Sequence, residues 1–171
     1  MVIPVVMQTD PAWQVAALVP DPELPTLTLA DLGILRGVER DGDAVTVVIT
    51  PTYSGCPAMR EISSDLRYRL AQAGLSDVTV RTELSPPWTS DWITAEGRAK
   101  LTAAGIAPPH PAGIRPAGPV PLTLVAPSRT VACPRCGSTA TDETSPFSAT
   151  ACKALYRCRA CREPFEYVKE I

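Results

Sequence analysis

The chemistry open to this chain rests mainly on its cysteines. Cys133-Pro134-Arg135-Cys136-Gly137 and Cys158-Arg159-Ala160-Cys161 are two C-x-x-C knuckles separated by 21 residues. Each knuckle lets two sulfurs converge, and four thiolates at this spacing form a tetrahedral Zn²⁺ site on a hairpin. The same four thiolates also serve an iron–sulfur cluster, so spacing alone leaves that alternative open. With no open coordination position, such a site would hold structure and perform no hydrolysis. Gly137, just after the first knuckle, suits the left-handed turn that such knuckles often need.

Two further thiols stand outside this pattern. Cys152, in Ser148-Ala149-Thr150-Ala151-Cys152-Lys153, breaks the simple count of four. It is a small packed residue, a substitute ligand for Cys158 or Cys161, or an exposed thiol activated by Lys153. Cys56 precedes Pro57 at the start of an expected helix, where free N–H groups and the positive dipole end lower a thiol pKa. Its plain alternative is a buried cysteine at a helix start. Asp21 and Glu23 flank Pro22 in a rigid turn. Such carboxylates are usually solvated or cap a helix; a hard metal or a partner's basic patch is the other reading. The single histidine, His110, lies in a proline cluster and makes a Ser-His-Asp or Cys-His apparatus improbable.

Residues 1–104 are expected to form one α/β unit that positions Cys56, Asp21 and Glu23. Asp10-Pro11 reads as an N-cap with proline at N1, opening a short helix through Leu18. Leu32 to Arg40 and Ala44 to Thr50 read as strands joined by Asp41-Gly42-Asp43, a hairpin signal. From Pro57 a helix carries Met59, Ile62, Leu66, Leu70 and Ala73 on one stripe, with Gly74 as its stop. Asp77 to Leu84 reads as a third strand. A last helix, about Thr94 to Ala104, is expected to pack across the sheet. The fold class is therefore α/β (α+β), a small three-stranded sheet packed with helices, plus a C-terminal four-cysteine zinc ribbon.

Residues 105–130 change texture: seven of the 25 residues from Gly105 to Arg129 are proline, which reads as a semi-rigid linker. Residues 131–171 form the second module, and about 40 residues need a staple such as a metal to fold. In a chain with 171 residues, 45% apolar and 20% charged, a buried core is expected and disorder is not. Net charge is −2 for the chain, −5 for residues 1–104 and +1 for residues 131–171. A ribbon with Zn²⁺ and four thiolates then carries about −1, which disfavours nucleic acid as a partner. No apolar run approaches the roughly 20 residues of a membrane span, and Met1 to Asp10 lacks a signal-peptide pattern. A cytoplasmic protein is expected.

Asp21-Pro22-Glu23-Leu24-Pro25, Leu32-Gly33-Ile34 and Thr52-Tyr53-Ser54-Gly55-Cys56-Pro57 together resemble the SufT-type family of iron–sulfur cluster assembly factors, over roughly residues 10–85. The tail is similar to one branch of that family, the PaaD components of phenylacetyl-CoA epoxidase systems. That likeness rests on Gly105-Ile106-Ala107-Pro108-Pro109, Cys133-Pro134-Arg135-Cys136, the run from Ser148 to Cys158, and Cys161-Arg162-Glu163-Pro164-Phe165. The resemblance implies a non-catalytic accessory or maturation role in aerobic phenylacetate degradation. The implied partners are the epoxidase's oxygenase or reductase subunits, the implied cofactor is structural Zn²⁺, and iron or an iron–sulfur cluster would be held transiently. By the same resemblance Cys56 matches the loop cysteine that handles iron or cluster, and Asp21 and Glu23 match the acidic motif beside it. Two other classes compete with this reading. One is a zinc-ribbon adaptor for nucleic acid or another protein complex. The other is a thiol redox enzyme, which lacks a resolving cysteine near Cys56.

Overall fold

The computed structural model describes residues 9–53, 55–111 and 130–171. The first helix, α1 (Pro11–Ala17), starts as its sequence dictates: Asp10 caps it by accepting from the Ala12 N–H at 2.7 Å. Strands β1 (Leu35–Asp41) and β2 (Ala44–Ile49) form an antiparallel hairpin turned at Gly42, whose φ of 59° suits glycine. Helix α2 (Ala58–Gln72) then crosses over to β3 (Val78–Thr82), which pairs parallel with β2, giving the order β1-β2-β3. Its buried stripe, Ala58, Ile62, Leu66 and Leu70, recurs at helical spacing and faces the core. Leu66 and Leu70 are fully buried, worth about 1.5–3 kcal/mol each. The α/β architecture and three-stranded sheet agree with the sequence reading.

Two expectations need correction. Leu32 to Ile34 are not strand: Gly33 has φ 67° and lies so close to Trp92 that an added Cβ would meet the Trp92 carbonyl oxygen at 2.8 Å. The chain must turn there before β1 begins. The last helix, α3 (Ala95–Ala103), does not pack across the sheet. Its neighbours are the following strand and the turn at Asp31, where Lys100 Nζ meets Asp31 Oδ2 at 2.8 Å and Gly97 lets the backbones approach.

The second sheet has the order β4-β7-β6-β5, from β4 (Ile106–Ala107), β5 (Thr141–Ser145), β6 (Lys153–Cys158) and β7 (Pro164–Val168). The start of the proline-rich stretch thus lies in the ribbon sheet, with β4 parallel to β7. The rest of that linker, residues 112–129, falls outside the described residues. Val131, Ala154, Tyr156, Phe165 and Tyr167 make a small core with Cys133 and Cys158. Val168, at the end of β7, is buried in the core of the first unit, and Ile106 and Ile171 pack against that core. The ribbon is therefore docked on the α/β unit through apolar side chains.

Candidate metal-handling site

The two knuckles have the same backbone. Cys133 N–H donates to Ser138 O at 2.9 Å, and Cys158 N–H donates to Glu163 O at 3.0 Å. The residue after each second cysteine is left-handed, Gly137 at φ 73° and Arg162 at φ 66°. The sulfurs of Cys133, Cys136, Cys158 and Cys161 all lie within 4.8 Å of one another. Cys133 Sγ and Cys161 Sγ are 3.7 Å apart, and Cys136 Sγ and Cys158 Sγ 3.6 Å apart. A tetrahedral ion with bonds of about 2.3 Å to sulfur sets its ligands about 3.8 Å apart. The four sulfurs converge on one point and are placed to hold such an ion. Cys158 is drawn down to about 6, first by the Cys161 N–H. Cys161 is pushed up to about 12: the Glu163 N–H lowers it, but desolvation and contacts with the Cys158, Cys136 and Cys133 sulfurs prevail. Four thiols this close do not all ionise without a cation among them.

Cys152 is not one of this group. It stands just before β6, its carbonyl accepting from the Lys169 N–H at 2.9 Å and its Sγ 3.0 Å from Thr150 Oγ1. Its sulfur faces the other unit and lies 3.9 Å from Glu23 Oε2. Cys152 is not the exposed thiol that activation by Lys153 would need. Cys152 is half-buried, and burial raises its pKa, with Glu23 adding to the rise and Thr150 and Lys153 opposing it.

Glu23 belongs to a tight turn made by its own sequence. Two prolines prevent a helix over Asp21 to Pro25, so the turn's N–H groups need other partners. Asp21 Oδ1 supplies them, accepting from the N–H of Glu23 at 2.9 Å and of Leu24 at 2.8 Å, while the Asp21 N–H donates to Leu27 O. Asp21 is only 6% exposed, and burial raises its carboxyl pKa despite these bonds and the nearby Lys153. Burial also raises Glu23, with Asp21 adding to the rise.

Cys56 lies at the mouth of α2, in a loop that Gly55 bends with φ 84°. The expected low pKa is not found. Burial pushes the Cys56 thiol up and the Glu23 and Asp21 carboxylates push it further, while the Ala58 N–H and Thr52 pull it down. The helix start acts in the predicted direction, but burial of the thiol outweighs it and the two carboxylates add to the rise. Tyr53 feels Cys56, Glu23 and Cys152 together, after burial as the main cause of its raised pKa. The structure thus gathers Cys56, Asp21, Glu23 and Cys152 in one neighbourhood. Among the described residues only the four ribbon cysteines form a mutually close metal-ligand set, so this second group is open.

The sequence reading missed Glu166. Its Oε2 meets Lys153 Nζ at 2.9 Å, and the Lys153 side chain is 6% exposed. Nothing in the sequence marked Glu166, because its pairing depends on the β6–β7 register.

Comparison with known proteins agrees with this geometry. Residues 117–169 match the model of the PaaD zinc beta ribbon domain, and residues 15–81 match the iron-sulfur cluster assembly protein family. An Escherichia coli (strain K12) protein, described as the D component of 1,2-phenylacetyl-CoA epoxidase, is 43% identical over 162 residues, 95% of this chain and 93% of that protein. The chain belongs to the PaaD family of phenylacetyl-CoA epoxidase components. Fe-S protein maturation auxiliary factors match the first unit of this PaaD family member. That of Porphyromonas gingivalis (strain ATCC BAA-308 / W83) is 33% identical over 47% of this chain and 78% of its own length. That of Staphylococcus aureus (strain USA300), SufT, is 34% identical over 49% and 97%. No helix among the described residues of this PaaD family member is long and apolar enough to cross a membrane.

Proposed function

We propose that this protein is a non-catalytic accessory factor of the phenylacetyl-CoA epoxidase that helps to install a metallocentre in its oxygenase or reductase subunits. One observation carries the reading. A thiol, Cys56, shares a neighbourhood with the Asp21 and Glu23 carboxylates in a unit matching iron–sulfur assembly proteins, within a chain similar along 95% of its length to an epoxidase component. Mixed sulfur and oxygen donors suit iron, and an open site releases it by ligand exchange to a partner. Cys56 is the donor the partner would displace. Asp21 shapes the turn that presents Glu23, and the two carboxylates draw cations to the loop.

The ribbon has a different task in this reading. Cys133, Cys136, Cys158 and Cys161 hold Zn²⁺, whose four closed bonds tie the two knuckles together and leave no position for substrate. Bound there, the zinc would tie β5, β6 and β7 together.

Replacing the native protein by Cys56→Ala in cells tests the proposal. Growth on phenylacetate should fail, with the other epoxidase components present and growth on an unrelated carbon source normal. Normal growth on phenylacetate would overturn it.

A further inference from the structure

We infer that the ribbon completes the first unit's site, with Cys152 joining Cys56 and Glu23 to hold one divalent first-row metal ion, ferrous iron, between the two modules. The inference rests on metal handling at Cys56 and adds the second thiol. Cys152 Sγ lies 3.9 Å from Glu23 Oε2, although the two residues are 129 apart in sequence. Ligands at about 2.3 Å for sulfur and about 2.1 Å for oxygen around a tetrahedral ion stand about 3.6 Å apart. The observed pair therefore needs an adjustment of a few tenths of an ångström to share an ion.

Three features hold Cys152 there. The Lys169 N–H fixes its carbonyl, the Thr150 hydroxyl contacts its sulfur, and Val168 anchors the adjoining strand end in the core of the first unit. A second observation points to a cation. Asp21 is buried, 6% exposed, and uses Oδ1 for both turn N–H groups; among the described residues its Oδ2 accepts no hydrogen bond. The one buried cation close by, Lys153, is already paired with Glu166 Oε2. Lys153 thus offsets the charge of Asp21 and Glu23 only in part. The set is not preformed in the manner of the ribbon knuckles, so in this proposal the metal draws in Cys56 from its place beside Glu23. Two thiolates and a carboxylate form a mixed donor set that binds iron less tightly than four thiolates would, as suits cargo.

The experiment uses the full-length protein loaded with one zinc per chain, titrated anaerobically with Fe(II) alone, with bound iron and zinc both measured. One Fe(II) should bind beyond the zinc. Cys152→Ser and Cys56→Ser should each weaken Fe(II) binding at least tenfold while zinc stays at one per chain. Glu23→Gln, which keeps side-chain volume and the turn, should weaken it as well. Amide exchange of each variant, matching wild type, shows that the fold is intact. Wild-type affinity in Cys152→Ser overturns the inference, even where Cys56→Ser loses binding and the accessory role survives. Absence of Fe(II) binding by the wild-type protein also overturns it, while growth of the Cys56→Ala strain still decides the accessory role.

Discussion

Cys161→Ser removes one of the four converging ribbon sulfurs and should do more than unfold the tail. A closed thiolate zinc site supplies on the order of 10 kcal/mol of folding free energy in small domains, and the ribbon core of Val131, Ala154, Tyr156, Phe165 and Tyr167 is small. Without metal, β5 to β7 should open. From the proline-rich sequence, the first unit would be expected to remain untouched. The structure adds a cost to it: Val168 is 4% exposed within the first core, and Ile106 and Ile171 pack against the same cluster. Releasing Val168 alone forfeits about 2 kcal/mol. For a unit of about 100 residues this lowers Tm by roughly 8–16 °C. Amide exchange by mass spectrometry should show β5 to β7 unprotected in the variant, and a thermal melt should show the remaining transition shifted down. Protected ribbon amides in Cys161→Ser, or a first-unit melt at the wild-type temperature, would refute the reasoning.

Other outcomes follow from individual contacts. Cys152→Ser should retain one zinc per chain by metal analysis, because its sulfur is not among the four that converge. Asp21→Ala should lose about 2–4 kcal/mol in urea unfolding, since two turn N–H groups lose their acceptor, whereas Asp21→Asn keeps that acceptor and should fold normally yet fail to support growth on phenylacetate. Gly33→Ala should cost at least about 2 kcal/mol in the same assay, through the positive φ and the collision with Trp92. The Arg40 guanidinium, hydrogen-bonded to Asp10, holds that carboxyl below its usual value of 3.8. The folded pKa is depressed, so the contribution is present above about pH 4 and is lost as pH falls through the folded pKa. Asp10→Asn, which keeps the cap on α1, should flatten that acid limb in a stability–pH profile.

The parts of the fold legible in the sequence are those set by local chemistry. The stripe Ile62, Leu66 and Leu70, the stop at Gly74, the Asp-Gly hairpin turn and the paired knuckles depend on residues a few positions apart. What was not legible depends on distant partners. Leu32 to Ile34 alternate like a strand, but Trp92 forces Gly33 into a turn. Ile106 and Ala107 sit among prolines and glycine, and only β7 makes them a strand. The candidate site divides the same way. Asp21, Glu23 and Cys56 carry motif signals, and the helix start at Cys56 points to a low pKa that burial reverses, with the neighbouring carboxylates adding to it. The local sequence sets Cys152 among its ribbon neighbours, whereas its sulfur lies beside Glu23 through docking of Val168 that no local pattern reveals.

The accessory role is tested most directly by the iron content of the epoxidase itself. The enzyme complex should be isolated from cells in which Cys56→Ala replaces the native protein, and its iron per oxygenase and per reductase measured against the wild-type strain. The account predicts normal amounts of both components with iron reduced severalfold in at least one of them. Fully iron-loaded oxygenase and reductase from the Cys56→Ala strain would contradict it.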